Sequence, residues 1–142
     1  MRSKCGIFLV EDRDEDALLI RRSIAHAPRL NLVHHAKNAK EAISYLQGAG
    51  VYANRDRYPM PQVLVLDLEM PNEDGFVVLE WLKQSKVGHD IKSVALTGRE
   101  RPAMMTRAEG LGARHCIAKP KREAPLAGFA QQLEDWCHPP KP

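Results

Sequence analysis

The sequence predicts an α/β fold, a doubly wound five-stranded parallel sheet with helices on both faces. Three observations carry that expectation. Strand-like apolar runs and helix-like periodic segments alternate five times along the chain. The runs Cys5 to Val10 and Val63 to Leu66 are apolar without interruption, as suits strands buried on both faces. Both run directly into carboxylates, Glu11-Asp12 and Asp67.

The elements follow in order. Cys5 to Val10 is the first strand, and Asp14 to Ala27 is a helix with Ala17, Ile20 and Ile24 on one face. Leu30 to Ala36 is the second strand. Asn38 is placed to cap the next helix, with Glu41 three residues on and Gly48 ending it. Residues 49–61 form a long polar and aromatic loop. The third strand ends at Asp67, and the polar turn Asn72-Glu73-Asp74-Gly75 leads to a helix from about Asp74 to Ser85, with Phe76, Leu79 and Leu82 inward. Lys92 to Thr97 is the fourth strand, and a helix from about Arg101 to Leu111 follows. The fifth strand, Arg114 to Ala118, runs into Lys119-Pro120. The last helix covers roughly Glu123 to Trp136. Residues 1–138 read as one domain and 139–142 as a disordered tail.

Composition narrows the function. With 44% hydrophobic and 27% charged residues in 142, the chain is long enough for a packed core and is not a disordered type. Its apolar runs are too short to cross a bilayer, and no secretory leader opens it, so a cytoplasmic location and no membrane partner are expected. The net charge is +3, but the basic residues are interspersed with acids and KPKR (Lys119 to Arg122) is short, which argues against nucleic acid as a partner. Cys5, Cys116 and Cys137 are odd in number and lack CxxC spacing, so all three read as free thiols in a reducing compartment.

In open parallel sheets, ligands bind beyond the carboxyl ends of the strands. There the sequence puts Glu11 and Asp12 after strand one, Asp67 at strand three, Thr97 at strand four and Lys119 after strand five. Each alone has an ordinary reading. An Asp after a strand is usually a turn or cap, Thr suits strands, and Lys is usually solvated. Asp14, Glu15 and Asp16 read simply as acids favouring a helix N-terminus. Together the first five make chemical sense. Crowded carboxylates need a hard cation, and Mg²⁺ suits a site with few carboxylates. Asp67 then serves as a nucleophile toward a phosphoryl group, with Lys119 as counter-charge and Thr97 as donor. On this reading Asp67 is exposed at its strand end because it must be reached.

The segments FLVEDRDEDALLIRR, VLVLDLEMPNEDG, VALTG and GARHCIAKP resemble the receiver domain of two-component response regulators over nearly the whole chain. VED-x-x-x-D, the loop GVYANRDRYPMPQ and the ending LEDW resemble single-domain regulators partnered with bacterial phytochromes. The resemblance implies the flavodoxin-like receiver fold with strand order 2-1-3-4-5. It implies that Asp67 accepts a phosphoryl group from a histidine kinase. Mg²⁺ is then held by Asp12, by Asp67, by Glu11 largely through water, and by the backbone carbonyl of Glu69. Lys119 contacts the phosphoryl group, positioned by a cis peptide to Pro120, and Thr97 moves toward it. The protein is then no enzyme beyond its own phosphorylation and dephosphorylation. Glu69 and Arg99 flank the path of attacking water, so the phosphoryl group is expected to be lost slowly.

Cys116, beside His115, stands where receivers commonly carry Tyr or Phe, so the usual aromatic relay is absent or replaced. Trp81 reads as a packing residue. The resemblance, with the apolar series Phe129, Leu133 and Trp136 on the last helix, implies a homodimer through helix four, strand five and helix five. Core packing accounts for Phe129 and Leu133 equally well, and Trp136 is the one harder to bury within one chain. Two rivals differ in class. One is a binding module that is never phosphorylated, which the intact Asp12, Asp67, Thr97 and Lys119 argue against. The other is an aspartyl-phosphate phosphatase, which needs a second Asp two residues after the nucleophile, where this chain has Glu69.

Overall fold

The computed structural model describes residues 4–98, 101–120 and 126–138. Five parallel strands are ordered β2-β1-β3-β4-β5: β1 (Cys5–Val10), β2 (Leu30–Ala36), β3 (Val63–Asp67), β4 (Lys92–Thr97) and β5 (His115–Ala118). The helices are α1 (Asp14–Ala25), α2 (Ala39–Gln47), α3 (Asp74–Gln84), α4 (Pro102–Gly110) and α5 (Leu126–Cys137). This is the strand order expected of the resemblance.

The period of two along each strand divides the core into two layers. Phe8, Val10, Leu64, Leu66 and Ala95 face Tyr45, Leu46, Phe76, Leu79 and Ala108, under α2, α3 and α4. Ile7, Leu9, Val63, Val65, Val94 and Leu96 face Ile20, Ile24, Phe129 and Leu133, under α1 and α5. The uninterrupted apolar runs are thus explained by burial on both sides. Because the helices following β1 and β3 lie on opposite faces, the carboxyl ends of these adjacent strands border the switch point.

Local chemistry sets the element ends. The Asn38 side chain accepts the Glu41 N–H at 2.8 Å, and Gly48 closes α2 in the left-handed region at φ 71°. Helix α1 stops at Ala25, two residues early, and Ala27 N–H turns back to Ile24. Helix α3 stops at Gln84 because Ser85 instead caps the 3₁₀ turn Lys86–Asp90. Helix α4 begins at Pro102, whose missing N–H costs nothing at a helix start. The polar loop is not featureless: it contains a 3₁₀ turn, Gly50–Ala53, and packs Tyr52 and Tyr58 against Tyr45 and His34. Residues 123–125, Arg99 and the tail 139–142 lie outside the described residues.

Three expectations need correction. Cys5 and Cys137 form a disulfide, leaving only Cys116 as a free thiol. An odd count leaves one cysteine unpaired but does not exclude a single bridge, and partners 132 residues apart leave no local spacing to read. The peptide between Lys119 and Pro120 is trans, since the described residues contain no cis peptide bond. Trp136 is half-buried within the chain, stacked on His115 at 4.1 Å between ring centres, while Phe129 and Leu133 face the core. Trp81 packs against the α2–α3–α4 layer, as expected.

Candidate functional site

Parallel pairing brings the carboxyl ends of β1, β3 and β4 level, with Val10 opposite Leu66 and Asp67 opposite Leu96. The next residues must leave the sheet at the same height. Backbone bonds hold them there: Glu11 N–H donates to Ala36, Leu68 N–H to Leu96, and Lys119 N–H to Thr97 at 2.7 Å. The start of α3 passes directly under the end of β3. A Cβ at Gly75 would sit 2.3 Å from the Asp67 carbonyl oxygen, so no other residue fits without moving the strand end. Asn72 and Glu73, both in the left-handed region at φ 60° and 56°, make the tight turn that precedes it.

Glu11, Asp12 and Asp67 each present an oxygen within 4.8 Å of the others. Lys119 Nζ donates to Glu11 Oε1 at 2.8 Å, Asp16 Oδ2 at 2.8 Å and Asp67 Oδ2 at 3.0 Å. Asp67 Oδ1 accepts the Glu69 N–H at 2.9 Å. The Glu69 carboxylate reaches across to β4's end and accepts the Gly98 N–H at 2.6 Å. A cleft of about 770 Å³ opens above, lined by Asp12, Asp16, Asp67, Glu69, Gly98 and Lys119.

Glu11, Asp12, Asp67 and Lys119 are therefore brought together by their side chains and Thr97 by its backbone bond to Lys119, with one change in how they sit. Asp67 is not exposed: it is 1% accessible and lies beneath the Lys119 ammonium, reached only from the cleft. Arg99 falls outside the described residues. Asp16 is the site residue that sequence reading missed. It looked like one of three helix-favouring acids, but from the first turn of α1 it lines the same cleft, where its carboxylate accepts from Lys119. Cys116 is half-buried with Sγ 3.7 Å from the Met105 carbonyl of α4. Burial, helped by Glu109, pushes its thiol up.

Electrostatics follow from crowding. Burial, reinforced by the neighbouring Asp67 carboxyl, pushes Glu11 up to about 8 against the opposing pull of Lys119. Burial alone would lower Lys119, but its bonds to Asp16, Glu11 and Asp67 outweigh that and hold it above the usual lysine range. Asp16 is held below its usual range, because Lys119 outweighs partial burial. Among the described residues, Glu11 Oε2, Asp12 Oδ1 and Thr97 Oγ1 are buried polar atoms without a hydrogen-bond partner. The first two belong to an all-oxygen cluster, which is the donor set of a hard divalent cation. The Thr97 hydroxyl, wholly buried, is a donor lacking an acceptor. The acidic pocket fits a divalent metal.

Comparisons with known proteins agree with this geometry. Residues 7–129 match the family described as response regulator receiver domain. The response regulator Rcp1 of Synechocystis is 32% identical over 91 residues, which span 64% of this chain and 60% of Rcp1. A crystal structure of the Mn²⁺-bound form of Rcp1 superimposes with TM-score 0.78 at 26% identity, covering 96% of this chain and 97% of that one. The phosphorylated cyanobacterial phytochrome response regulator RcpA gives TM-score 0.81 at 28% identity, over 95% and 94% of the two chains. The bacteriophytochrome response regulator AtBRR gives 0.72 at 32% identity, over 92% of each. With a family match across most of its length, and with that family's strand order and strand-end acids in place, this chain belongs to the response regulator receiver domain family.

Proposed function

We propose that this receiver accepts a phosphoryl group from a histidine kinase onto Asp67, with Mg²⁺ as the cation, in the cytoplasm. The observation that carries this reading is the set of unsatisfied buried atoms at the carboxyl ends of β1 and β4, which flank β3 and Asp67. Glu11 Oε2 and Asp12 Oδ1 lack a cation, and Thr97 Oγ1 lacks an acceptor. A metal and a phosphoryl group would satisfy all three. Glu11, Asp12, Asp67 and the carbonyl of Glu69 would hold the Mg²⁺, which supplies neutralisation of phosphoryl charge. An Asp67 carboxylate oxygen attacks phosphorus, the phosphorus–nitrogen bond of the kinase phosphohistidine breaks, and the imidazole keeps the electron pair. Lys119 balances the added charge, and Thr97 donates to a phosphoryl oxygen.

The resemblance to RcpA and AtBRR supports a bacterial phytochrome as the kinase partner. Self-association through α4, β5 and α5 is proposed as the output. Its support is that α4 buries only Ala108 fully and leaves most of its length uncovered. The absence of a helix long and apolar enough to span a membrane, among the described residues, is compatible with the cytoplasmic reading.

One experiment tests the whole reading. The chain is incubated with a small acyl phosphate and Mg²⁺, then followed by intact mass and sedimentation. A single added phosphoryl group is expected on the wild type and none on Asp67→Asn, whose amide is isosteric but not nucleophilic. An unchanged adduct on Asp67→Asn would falsify the acceptor assignment. A monomer before and after phosphorylation removes the dimer.

A further inference from the structure

An ammonium has three N–H donors, and in Lys119 all three are committed: Glu11 at 2.8 Å, Asp16 at 2.8 Å and Asp67 at 3.0 Å. No donor remains for a phosphoryl oxygen. If a phosphoryl group is to be contacted by Lys119, one carboxylate must be given up. The three are not equal. Glu11 is wholly buried and its second oxygen already lacks a partner, so releasing it would leave the whole carboxyl group unsatisfied away from water. Asp67 is the reacting group and is 1% accessible. Asp16 stands on the first turn of α1 with its side chain 29% exposed, so water can take over its bond at little cost.

We propose that Asp16 is the partner Lys119 releases when a phosphoryl group reaches Asp67, so that Asp16 is a positioning residue setting how readily the site is phosphorylated. The inference rests on Asp67 being the acceptor. Asp16 holds the ammonium over the cleft while the site is empty and competes for it once the anion arrives. The Lys119 backbone stays bonded to Thr97 at 2.7 Å, so the exchange needs only rotation of the lysine side chain. Glu11 stays bound to the ammonium throughout.

The test compares initial rates of phosphorylation by a small acyl phosphate with Mg²⁺, read by intact mass, in the wild type, Asp16→Asn and Asp16→Glu. Each is also made with Lys119→Met. Asp16→Asn is expected to raise the rate about fivefold, the equivalent of one partly exposed ion pair. Asp16→Glu keeps the carboxylate and returns the rate toward wild type. The gain should persist at about 0.5 M salt, where long-range repulsion of an anionic donor is screened. It should vanish beside Lys119→Met, because the two residues act through one contact. A rate that is unchanged or slower in Asp16→Asn overturns the inference. So does a gain that disappears in salt or survives without Lys119; where Lys119→Met blocks phosphorylation altogether, the salt series decides. A wild type that forms no adduct refutes the acceptor assignment itself, and this inference with it.

Discussion

Glu11 makes the clearest single-residue statement about pH. It keeps its proton to about 8 in the fold, against an ordinary value of 4.5. Between those values the folded chain binds more protons than the unfolded one, so stability falls as pH rises. His115 works the other way: burial, helped by Arg114 and Lys92, lowers it from 6.5, so its contribution is present above 6.5 and lost as pH falls. Asp16 matters only in acid, and Cys116, Tyr45 and Lys119 only in alkali. From 6.5 to 8, then, the Glu11 trend stands alone among these shifted groups. With a chelator present, the urea midpoint is expected to fall across that range, and Glu11→Gln should flatten the slope. A divalent cation binds the ionised carboxylates, so adding Mg²⁺ should reverse it. A midpoint that rises with pH in chelator contradicts this account. At this scale Asp67, the acids beside it and the lysine could be placed at one site from sequence because each ends or follows a strand. Asp16 was not, because its partner is more than 100 positions away and its neighbours Asp14 and Glu15 gave it a sufficient local reason to exist.

Among the elements, α2 and the loop after it show what periodicity cannot report. The Asn38 cap and the Gly48 stop were readable from residue type, and both are present. What holds the loop was not readable. Arg55 sends its guanidinium back to the end of α2, donating to Tyr45 O at 2.9 Å and Leu46 O at 3.0 Å, and also to Tyr58 O at 3.2 Å. It thereby adds a partner to the Leu46 carbonyl at the helix end and a second one to Tyr45 O, which already accepts the Gly48 N–H. Tyr45, wholly buried, adds a bond from its hydroxyl to Pro59 O at 2.6 Å and stacks on His34 at 4.5 Å. Arg55→Ala should therefore cost about 1.5–3 kcal/mol, the range for hydrogen bonds to charged groups. Arg55→Lys should recover little, since a lysine lacks the planar fork that spans two carbonyls. Urea denaturation of the two variants measures this. A loss confined to a few tenths of a kcal/mol would mean the loop is held by its tyrosines alone. The long loop reads as polar in sequence because its order comes from one arginine and four aromatic rings, which have no period.

At the scale of the whole molecule, the sheet order and the two-layer core follow from alternating strands and helices, but the closure of the chain does not. Cys5 opens β1 and Cys137 ends α5, with their Cα atoms 5.9 Å apart. The bridge joins the two ends of the fold and encloses nearly all of it. In the chain-entropy account, a loop this long gives a stabilisation near the upper limit, about 5 kcal/mol, and measured bridges more often give about 2–4 kcal/mol. The same end of α5 is held independently. Lys92 Nζ donates to the Trp136 carbonyl at 2.7 Å, Trp136 stacks on His115, and Leu133 is fully buried. Reduction by a dithiol should therefore lower stability by about 2–4 kcal/mol without dissolving the sheet. Cys137→Ala should match the reduced wild type and be insensitive to the reductant. The bridge lies at the amino end of β1, whereas Glu11 and Asp12 follow its carboxyl end. The rate of phosphorylation should thus be the same in oxidised and reduced protein. Paired urea curves and acyl-phosphate rates, with and without reductant, decide the matter. Equal urea midpoints would mean the other contacts of α5 suffice, and a changed rate would mean the two ends of β1 are coupled.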